Sequence, residues 1–246
     1  MNAVTLEITE GVAIVQLADK EARNTFSHSL IKGLIETFKA IETDSRIKVV
    51  VIHGYDNYFC CGGTQEELLK IFDGKITFVD LNFYRLLLDC PVPTIAAMQG
   101  HAIGGGLALG CFADIILLAE ESIYSTNFMK YGFTPGMGAT YTIPKKFGES
   151  IGHEMLFTAK NYQGGVLKNL GVPLEILKKK EVIAKALTCA EEIARKPRDS
   201  LIILKKHLTR QIREEIPKII EQELEMHRLS FSQQEVKHRI ETLFGQ

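Results

Sequence analysis

The sequence is short of the features that mark secreted and membrane-spanning proteins. Its 246 residues contain no tryptophan and five cysteines, an odd number without the spacing of a zinc site. No apolar run reaches the ~18 residues that a membrane-spanning helix requires. The first residues alternate apolar and polar side chains, which is not the pattern of a signal peptide. We therefore expect free thiols in a cytoplasmic protein.

An excess of charge is also missing, because 29 basic residues face 30 acidic ones and the net charge is −1. Such a balance provides no general attraction to nucleic acid or to a membrane surface. Neither G-x-G-x-x-G nor G-x-x-x-x-G-K-[S/T] occurs, and His153-Glu154 lacks the second histidine of H-E-x-x-H. We expect no metal, no cofactor, and no nucleic-acid or membrane partner.

Strand-like and helix-like segments alternate as far as residue 180. The β-branched run 48–53 predicts a strand buried on both faces, and 94–98 and 115–119 predict two more. Ser27 can cap a helix that places several apolar residues on one face: Leu30, Leu34, Phe38 and Ile41. Shorter helices are predicted at 64–71, 78–89 and 107–112. This alternation predicts an α/β protein with a largely parallel sheet.

Beyond residue 180 the pattern becomes helical throughout. Helices are predicted at 182–195, 200–214, 217–229 and 233–244, with breaks at Pro197 and Pro217 because proline disfavours helical backbone in the residue before it. The sequence thus predicts an α/β core over 1–180 and a helical region over 181–246.

Two glycine clusters each follow a predicted strand: Phe-Cys-Cys-Gly-Gly-Thr at 59–64 and Gly-His-Ala-Ile-Gly-Gly-Gly at 100–106. Glycine lets such turns present unpaired backbone N–H groups to a ligand. Taken singly, each cluster is also explained by an ordinary turn. Cys61 is a possible nucleophile beside the first cluster, but no adjacent cation or histidine favours its thiolate, so a small buried side chain is the preferred interpretation.

Taken together, the two turns and their order in the chain resemble the enoyl-CoA hydratase/isomerase (crotonase) superfamily. The segments that carry the resemblance are 59–64, 93–106, 113–114 and 132–140. The resemblance implies a crotonase fold, a spiral of ββα units whose C-terminal helical extension covers the active site and supports a homotrimer.

The same resemblance assigns the oxyanion-hole donors to Gly63 and Gly105. Two N–H groups aimed at a thioester oxygen stabilise an enolate, at roughly 3 to 4 kcal/mol for each donor. The two glutamates with which hydratases of the family add water match Ala108 and Phe128, and neither residue can transfer a proton. The resemblance therefore excludes a hydratase.

The segments 54–59, 62–66 and 126–135 are similar to the decarboxylases of polyketide β-branching cassettes. That similarity implies decarboxylation of a 3-methylglutaconyl-type thioester, held on an acyl carrier protein or coenzyme A, through a dienolate. An enoyl-thioester isomerase remains the first alternative. A non-catalytic homologue that binds acyl thioesters or RNA is the second, although the balanced charge disfavours RNA.

A histidine and a lysine usually act in that branch. The histidine matches His227, for which a helix-surface residue is the alternative reading. The lysine position holds Thr77, so Lys75 is our candidate because a loop can shift register by two residues; a solvated surface lysine is an equal alternative. We expect His101 to be structural. The run 178–180 of three lysines is expected to be a solvated turn, with a carrier-protein or phosphate site as the minor alternative.

Overall fold

A computed structural model describes residues 2–81 and 83–244 of the chain. Its strands are β1 (Val4–Thr9), β2 (Val12–Leu17), β3 (Val49–His53), β4 (Tyr58–Cys60), β5 (Thr94–Met98), β6 (His101–Ile103), β7 (Ile115–Ala119), β8 (Ile123–Ser125), β9 (Tyr162–Gln163) and β10 (Glu175–Leu177). They form two sheets, and the predicted strands 94–98 and 115–119 are confirmed to the residue.

The helices α1 to α6 are α1 (His28–Thr43), α2 (Gln65–Phe72), α3 (Leu86–Asp89), α4 (Gly105–Cys111), α5 (Ala139–Phe147) and α6 (Glu149–Thr158). They are followed by α7 (Gly164–Asn169), α8 (Lys179–Ala194), α9 (Arg198–Leu208), α10 (Arg210–Phe231) and α11 (Gln234–Leu243). Two 3₁₀ turns lie at Phe78–Leu81 and Met129–Tyr131.

The larger sheet has the strand order β1-β2-β3-β5-β7-β10, antiparallel between β1 and β2 and parallel elsewhere. Strand β3 is buried on both faces, as its β-branched run predicts. Val50 and Ile52 join the main core with α1, whereas Val49 and Val51 pack under α8. The sheet is therefore covered on both sides by helices.

The smaller sheet has the order β4-β6-β8-β9 and carries the glycine clusters. Strands β3, β5 and β7 of the larger sheet are each followed directly by β4, β6 and β8 of the smaller one. After β4 and β6 the chain turns through the two glycine clusters into α2 and α4. The parallel pairing of β4 with β6 brings the two clusters side by side, which is the predicted spiral of ββα units.

Three predictions for the helices are wrong. The segment 78–89 is a 3₁₀ turn followed by the short α3 instead of one helix. The predicted helix 200–214 is divided at Thr209, between α9 and α10. Helix α10 runs through Pro217 without a break. The buried side of α10, which includes Ile216, Ile220 and His227, packs against the rest of the protein, and this burial outweighs the local preference of proline. The break at Pro197 is confirmed, because α8 ends before it and α9 begins after it.

The last helices return to the α/β part of the molecule. Helix α10 contacts α5, and α11 contacts both α2 and the turn Met129–Tyr131. Among the helices of the described residues, none combines the length and apolar character needed to cross a membrane. The C-terminal region thus covers the side of the smaller sheet where both glycine clusters lie.

Candidate active site

A cavity of about 380 Å³ opens beside the glycine clusters, and both Gly63 and Gly105 line it. Six phenylalanines dominate its wall: Phe26, Phe78, Phe83, Phe128, Phe133 and Phe244. The volume and the apolar wall suit an acyl chain, because ligand sites are concave, mostly apolar and contain a few placed polar groups.

The two turns touch each other, and glycine permits the contact. A β-carbon on Gly62, whose φ is +74°, would lie 2.7 Å from the carbonyl oxygen of Ile103 and 3.1 Å from the amide nitrogen of Gly105. A β-carbon on Gly106 would lie 2.1 Å from the carbonyl oxygen of Cys60. No larger residue fits at either position without moving the backbone. The turn that holds Gly63 is thereby packed against the turn that holds Gly105.

The amides of Gly63 and Gly105 are available to a ligand. Within the described residues, no protein acceptor takes the N–H of either one. Gly63 stands just before Thr64, the N-cap of α2, and Gly105 is the first residue of α4, where helical N–H groups have no partner inside the helix. Two residues on the cavity wall thus carry backbone N–H groups without a protein acceptor among the described residues.

The two positions that the resemblance assigns to the hydratase glutamates hold no titratable group. Ala108 is fully buried in α4, and Phe128 lines the cavity, where its ring lies 6.1 Å from that of Phe133. Neither side chain can activate a water molecule, so hydration has no acid or base at these two points.

His227 lies behind the cavity instead of on its wall. It is 5% exposed and lines a small adjacent space together with Phe78 and Met137, which line the main cavity as well. Its ring centroid is 4.5 Å from that of Phe78. The alternative reading of His227 as a helix-surface residue is excluded by this burial. Its predicted catalytic role remains a prediction, since Phe78 and Met137 separate it from the cavity.

The environment of the His227 ring keeps it neutral. Burial lowers its pKa to about 4, and the carbonyls of Thr134 and Pro135 offset this only in part. Nε2 donates to the carbonyl oxygen of Thr134 at 2.7 Å, whereas Nδ1 is buried without a hydrogen-bond partner among the described residues. Gly136 makes room for the ring, because a β-carbon there would lie 2.3 Å from Cε1 of His227.

Lys75 is not brought to the site. Its Nζ lies 2.8 Å from a carboxylate oxygen of Asp73, its side chain is 65% exposed, and it does not line the cavity. The loop after α2 directs it to solvent, so its predicted contact with a substrate carboxylate has no support in this geometry. Thr77, at the position that the resemblance assigns to the lysine, is exposed and its amide and hydroxyl donate to the carboxylate of Asp80.

Two other residues of the sequence analysis take structural positions. Nδ1 of His101 accepts a hydrogen bond from the amide of Ile123 at 3.0 Å, which joins β6 to β8. Burial raises the pKa of the Cys61 thiol to about 11, so it is protonated at neutral pH and a poor nucleophile. Both residues line the cavity, but neither has the character of a general base.

The sequence analysis missed Glu67, the one carboxylate among the described residues that line the cavity. Its Oε2 accepts hydrogen bonds from the amide and the hydroxyl of Thr64, each at 3.1 Å, and burial raises its pKa. The signal was present in the sequence, because Thr64-x-x-Glu67 is a capping box. The pair closes the start of α2 and holds the turn that carries Gly63.

The fold is that of one family. Residues 7–244 match the enoyl-CoA hydratase/isomerase family, and the chain belongs to it. It is 50% identical over 240 residues to bacillaene synthase decarboxylase PksI of Bacillus subtilis strain 168, a match that spans 98% of this chain and 96% of that protein. The mitochondrial enoyl-CoA hydratase of Pongo abelii is 29% identical over 184 residues, 74% of this chain and 63% of that one.

Solved structures agree with this assignment. A chain from a dehydratase/decarboxylase enzyme couple involved in polyketide β-branching superposes with a TM-score of 0.98 at 49% identity, covering 99% of this chain and 100% of that one. The ECH2 decarboxylase domain of CurF from Lyngbya majuscula gives 0.95 at 40% identity, with the same coverage. The predicted crotonase fold and the likeness to β-branching decarboxylases are confirmed.

Proposed function

We propose that the protein decarboxylates a 3-methylglutaconyl-type thioester on an acyl carrier protein during formation of a polyketide β-branch. One observation carries the proposal: Gly63 and Gly105 line the cavity, and their amides have no protein acceptor among the described residues. The positions that the resemblance assigns to the hydratase glutamates hold Ala108 and Phe128. A decarboxylase needs the oxyanion donors but not the glutamates. The names of the similar proteins, which include decarboxylases, support the same reaction.

In the proposed reaction the thioester oxygen accepts hydrogen bonds from both amides. The bond between the terminal carboxylate and the acyl chain breaks, its electron pair moves into the conjugated thioester, and carbon dioxide leaves. The resulting dienolate carries its charge on the oxygen that the two donors stabilise. A proton then returns to carbon and completes a 3-methylcrotonyl-type thioester.

The aromatic wall favours loss of the carboxylate. A carboxylate that enters a cavity lined by Phe26, Phe78 and Phe133 loses water contacts, whereas carbon dioxide is uncharged and is not destabilised there. Because Lys75 points to solvent, the proposal does not assign it to this carboxylate; the basic residues Arg23 and Lys130, in contrast, line the cavity.

His227 is our candidate for the proton donor. A histidine with a pKa near 4 is neutral at pH 7, so it must gain its proton in the complex. The negative charge of the bound acyl carboxylate, placed next to Phe78 and Met137, would raise the pKa of His227, since a nearby opposite charge favours the protonated ring. Small movements of the Phe78 and Met137 side chains would bring the His227 ring into contact with a substrate in the cavity.

The proposal also includes assembly as a homotrimer and a location in the cytoplasm. Helix α9 exposes Ile203, Leu204 and Leu208 by 69%, 53% and 70% of their surface, an apolar patch that a second copy of the chain could bury in a homotrimer. All five cysteines are unpaired, as expected in the reducing cytoplasm.

The test uses a carrier protein loaded with 3-methylglutaconyl whose terminal carboxylate is labelled with ¹³C. We expect labelled carbon dioxide to be released only when the protein is present. The same acyl group on coenzyme A, measured in parallel, shows which carrier is preferred. Isomerisation without release of label would favour the isomerase alternative, and no reaction on either carrier would favour a binding protein.

A further inference from the structure

Glu223 is a buried charged side chain that the proposed reaction does not use. It is 2% exposed and lies on α10, four residues before His227, so both residues face the same side of the helix. Its carboxylate accepts three hydrogen bonds, from the amide of Gly138 at 2.7 Å, the amide of Thr140 at 3.0 Å and the hydroxyl of Thr140 at 2.6 Å. Gly138 is the N-cap of α5 and Thr140 is the second residue of that helix. The segment 134–140, which leads into α5, is called the turn 134–140.

The backbone of this turn is strained. Met137 has a φ of +60°, in the left-handed region that a residue with a β-carbon rarely adopts. Gly138 follows with a φ of +74°, which glycine adopts without strain. A β-carbon on Gly138 would also lie 2.7 Å from the ring of Phe112. The strained conformation of Met137 persists only where its surroundings hold it. The three bonds to Glu223 fix the residues that follow, Gly138 and Thr140.

The same turn touches both parts of the candidate site. Its Thr134 carbonyl accepts the Nε2–H of His227, and its Gly136 leaves room for that ring. On the other side, the sulfur of Met137 lies 2.9 Å from the point where a β-carbon on Gly105 would stand. A shift of this turn would therefore move the His227 ring and the wall beside the Gly105 amide together.

We infer that Glu223 is a positioning residue, which acts through the turn 134–140 to set the place of His227 relative to the Gly105 donor. This inference rests on the proposed function, because it concerns delivery of the proton to the dienolate. A merely structural Glu223 would stabilise the fold without influence on which carbon is protonated. A change at a positioning Glu223 therefore alters which carbon of the product is protonated, whereas a change at a merely structural Glu223 does not.

The experiment compares the full-length wild type with Glu223→Gln and Thr140→Val on the carrier-bound substrate in D₂O. Glutamine keeps the shape of Glu223, but its NH₂ group faces an N–H donor, so at least one bond is lost. Thr140→Val removes only the 2.6 Å hydroxyl bond and serves if Glu223→Gln folds poorly. Glu225→Gln, an exposed glutamate on the same helix, is the matched control.

We expect kcat to fall by roughly tenfold to 10²-fold in Glu223→Gln, the cost of misplacing a reacting group, with little change in KM. The ratio of deuterium at the α-carbon to deuterium at the γ-carbon should shift in both variants and stay unchanged in Glu225→Gln. If Glu223→Gln only lowers the fraction of active protein and leaves the deuterium ratio unchanged, the inference is overturned. It is also overturned if the variants keep both the wild-type kcat and the wild-type deuterium ratio. A wild type that releases no carbon dioxide would instead overturn the proposed function and the inference with it.

Discussion

His227 donates its Nε2–H to the carbonyl oxygen of Thr134 at 2.7 Å, which fixes the tautomer of a buried histidine. A carbonyl can only accept, so the neutral ring carries its proton on Nε2 and its lone pair on Nδ1. Burial keeps the ring in this neutral form. The histidine is thus held by its neighbours in a state from which protonation is costly until an anion arrives.

This cost predicts a pH-dependent stability. The pKa of His227 is lowered from 6.5 to about 4 on folding, so the unfolded chain takes up the proton first as the pH falls. Above pH ~6.5 the ring is neutral in both the folded and the unfolded chain, so the free energy of unfolding does not depend on its titration. Between pH ~6.5 and ~4 only the unfolded chain takes up the proton, and the free energy of unfolding falls by about 3 kcal/mol.

Replacing the histidine isolates this contribution from those of other groups. Between pH 7 and pH 4.5, urea unfolding of His227→Gln should lose less stability than that of the wild type. His238→Gln, at an exposed position outside α9, is the control and should follow the wild type. Equal losses in His227→Gln and the wild type would show that the ring titrates normally.

A methyl group at Gly136 should displace the histidine. In Gly136→Ala the new β-carbon would lie 2.3 Å from Cε1 of His227, so the ring or the turn has to move. We expect decarboxylation to fall by about 10²-fold, the cost of a misplacement near 1 Å. In the control Gly165→Ala the new carbon meets only the carbonyl oxygen of Glu120, at 3.6 Å, and the rate should not change. Steady-state decarboxylation rates of both variants test this prediction, and equal rates for Gly136→Ala and Gly165→Ala would contradict it.

The two oxyanion glycines should respond differently to alanine. A β-carbon on Gly105 would lie 2.6 Å from the ring of Phe26 and so shift the amide, whereas one on Gly63 would meet only Leu68, at 3.7 Å. Gly105→Ala should therefore lose at least about 10²-fold in kcat, the usual loss with one donor. Gly63→Ala keeps its N–H and should stay near the wild-type rate. Similar rates for the two variants would remove Gly105 from the oxyanion hole.

The exposed apolar face of α9 should be the contact between subunits. We expect the wild type to sediment as a trimer of the 27.5 kDa chain. Leu204→Glu would place a charge in the buried patch and should dissociate it, because an unpaired buried charge is strongly unfavourable. The control Lys32→Glu alters an exposed residue of α1. Sedimentation of the wild type as a 27.5 kDa species alone would contradict the prediction.

The sequence predicts correctly the elements that depend on a local residue pattern. Strands β5 and β7 are runs of buried residues, and the helix cap at Ser27 is formed as predicted, with its Oγ accepting the amide of Leu30 at 3.1 Å. The three-residue strands β4 and β6 carry no such pattern, since they lie inside or beside the glycine clusters and are defined by pairing with each other.

The features of the site that the sequence does not predict depend on contacts between residues far apart in the chain. Glu223 meets Gly138 from 85 residues away, and no local spacing signals that bond. The role of Lys75 depended on the register of a loop, and only the ion pair with Asp73 shows where that loop directs it. His227 could be aligned with a family position, but its burial depends on how α10 packs against the turn 134–140.

The central claim, that carbon dioxide leaves and His227 returns the proton, is tested most directly by single-turnover mass spectrometry of the loaded carrier protein in D₂O. The account predicts that the wild type releases carbon dioxide and incorporates one deuterium on carbon. His227→Ala should do so roughly 10²-fold more slowly, the usual contribution of a positioned acid, while binding the carrier-linked substrate as before. Decarboxylation at the wild-type rate by a folded, assembled His227→Ala would contradict the account.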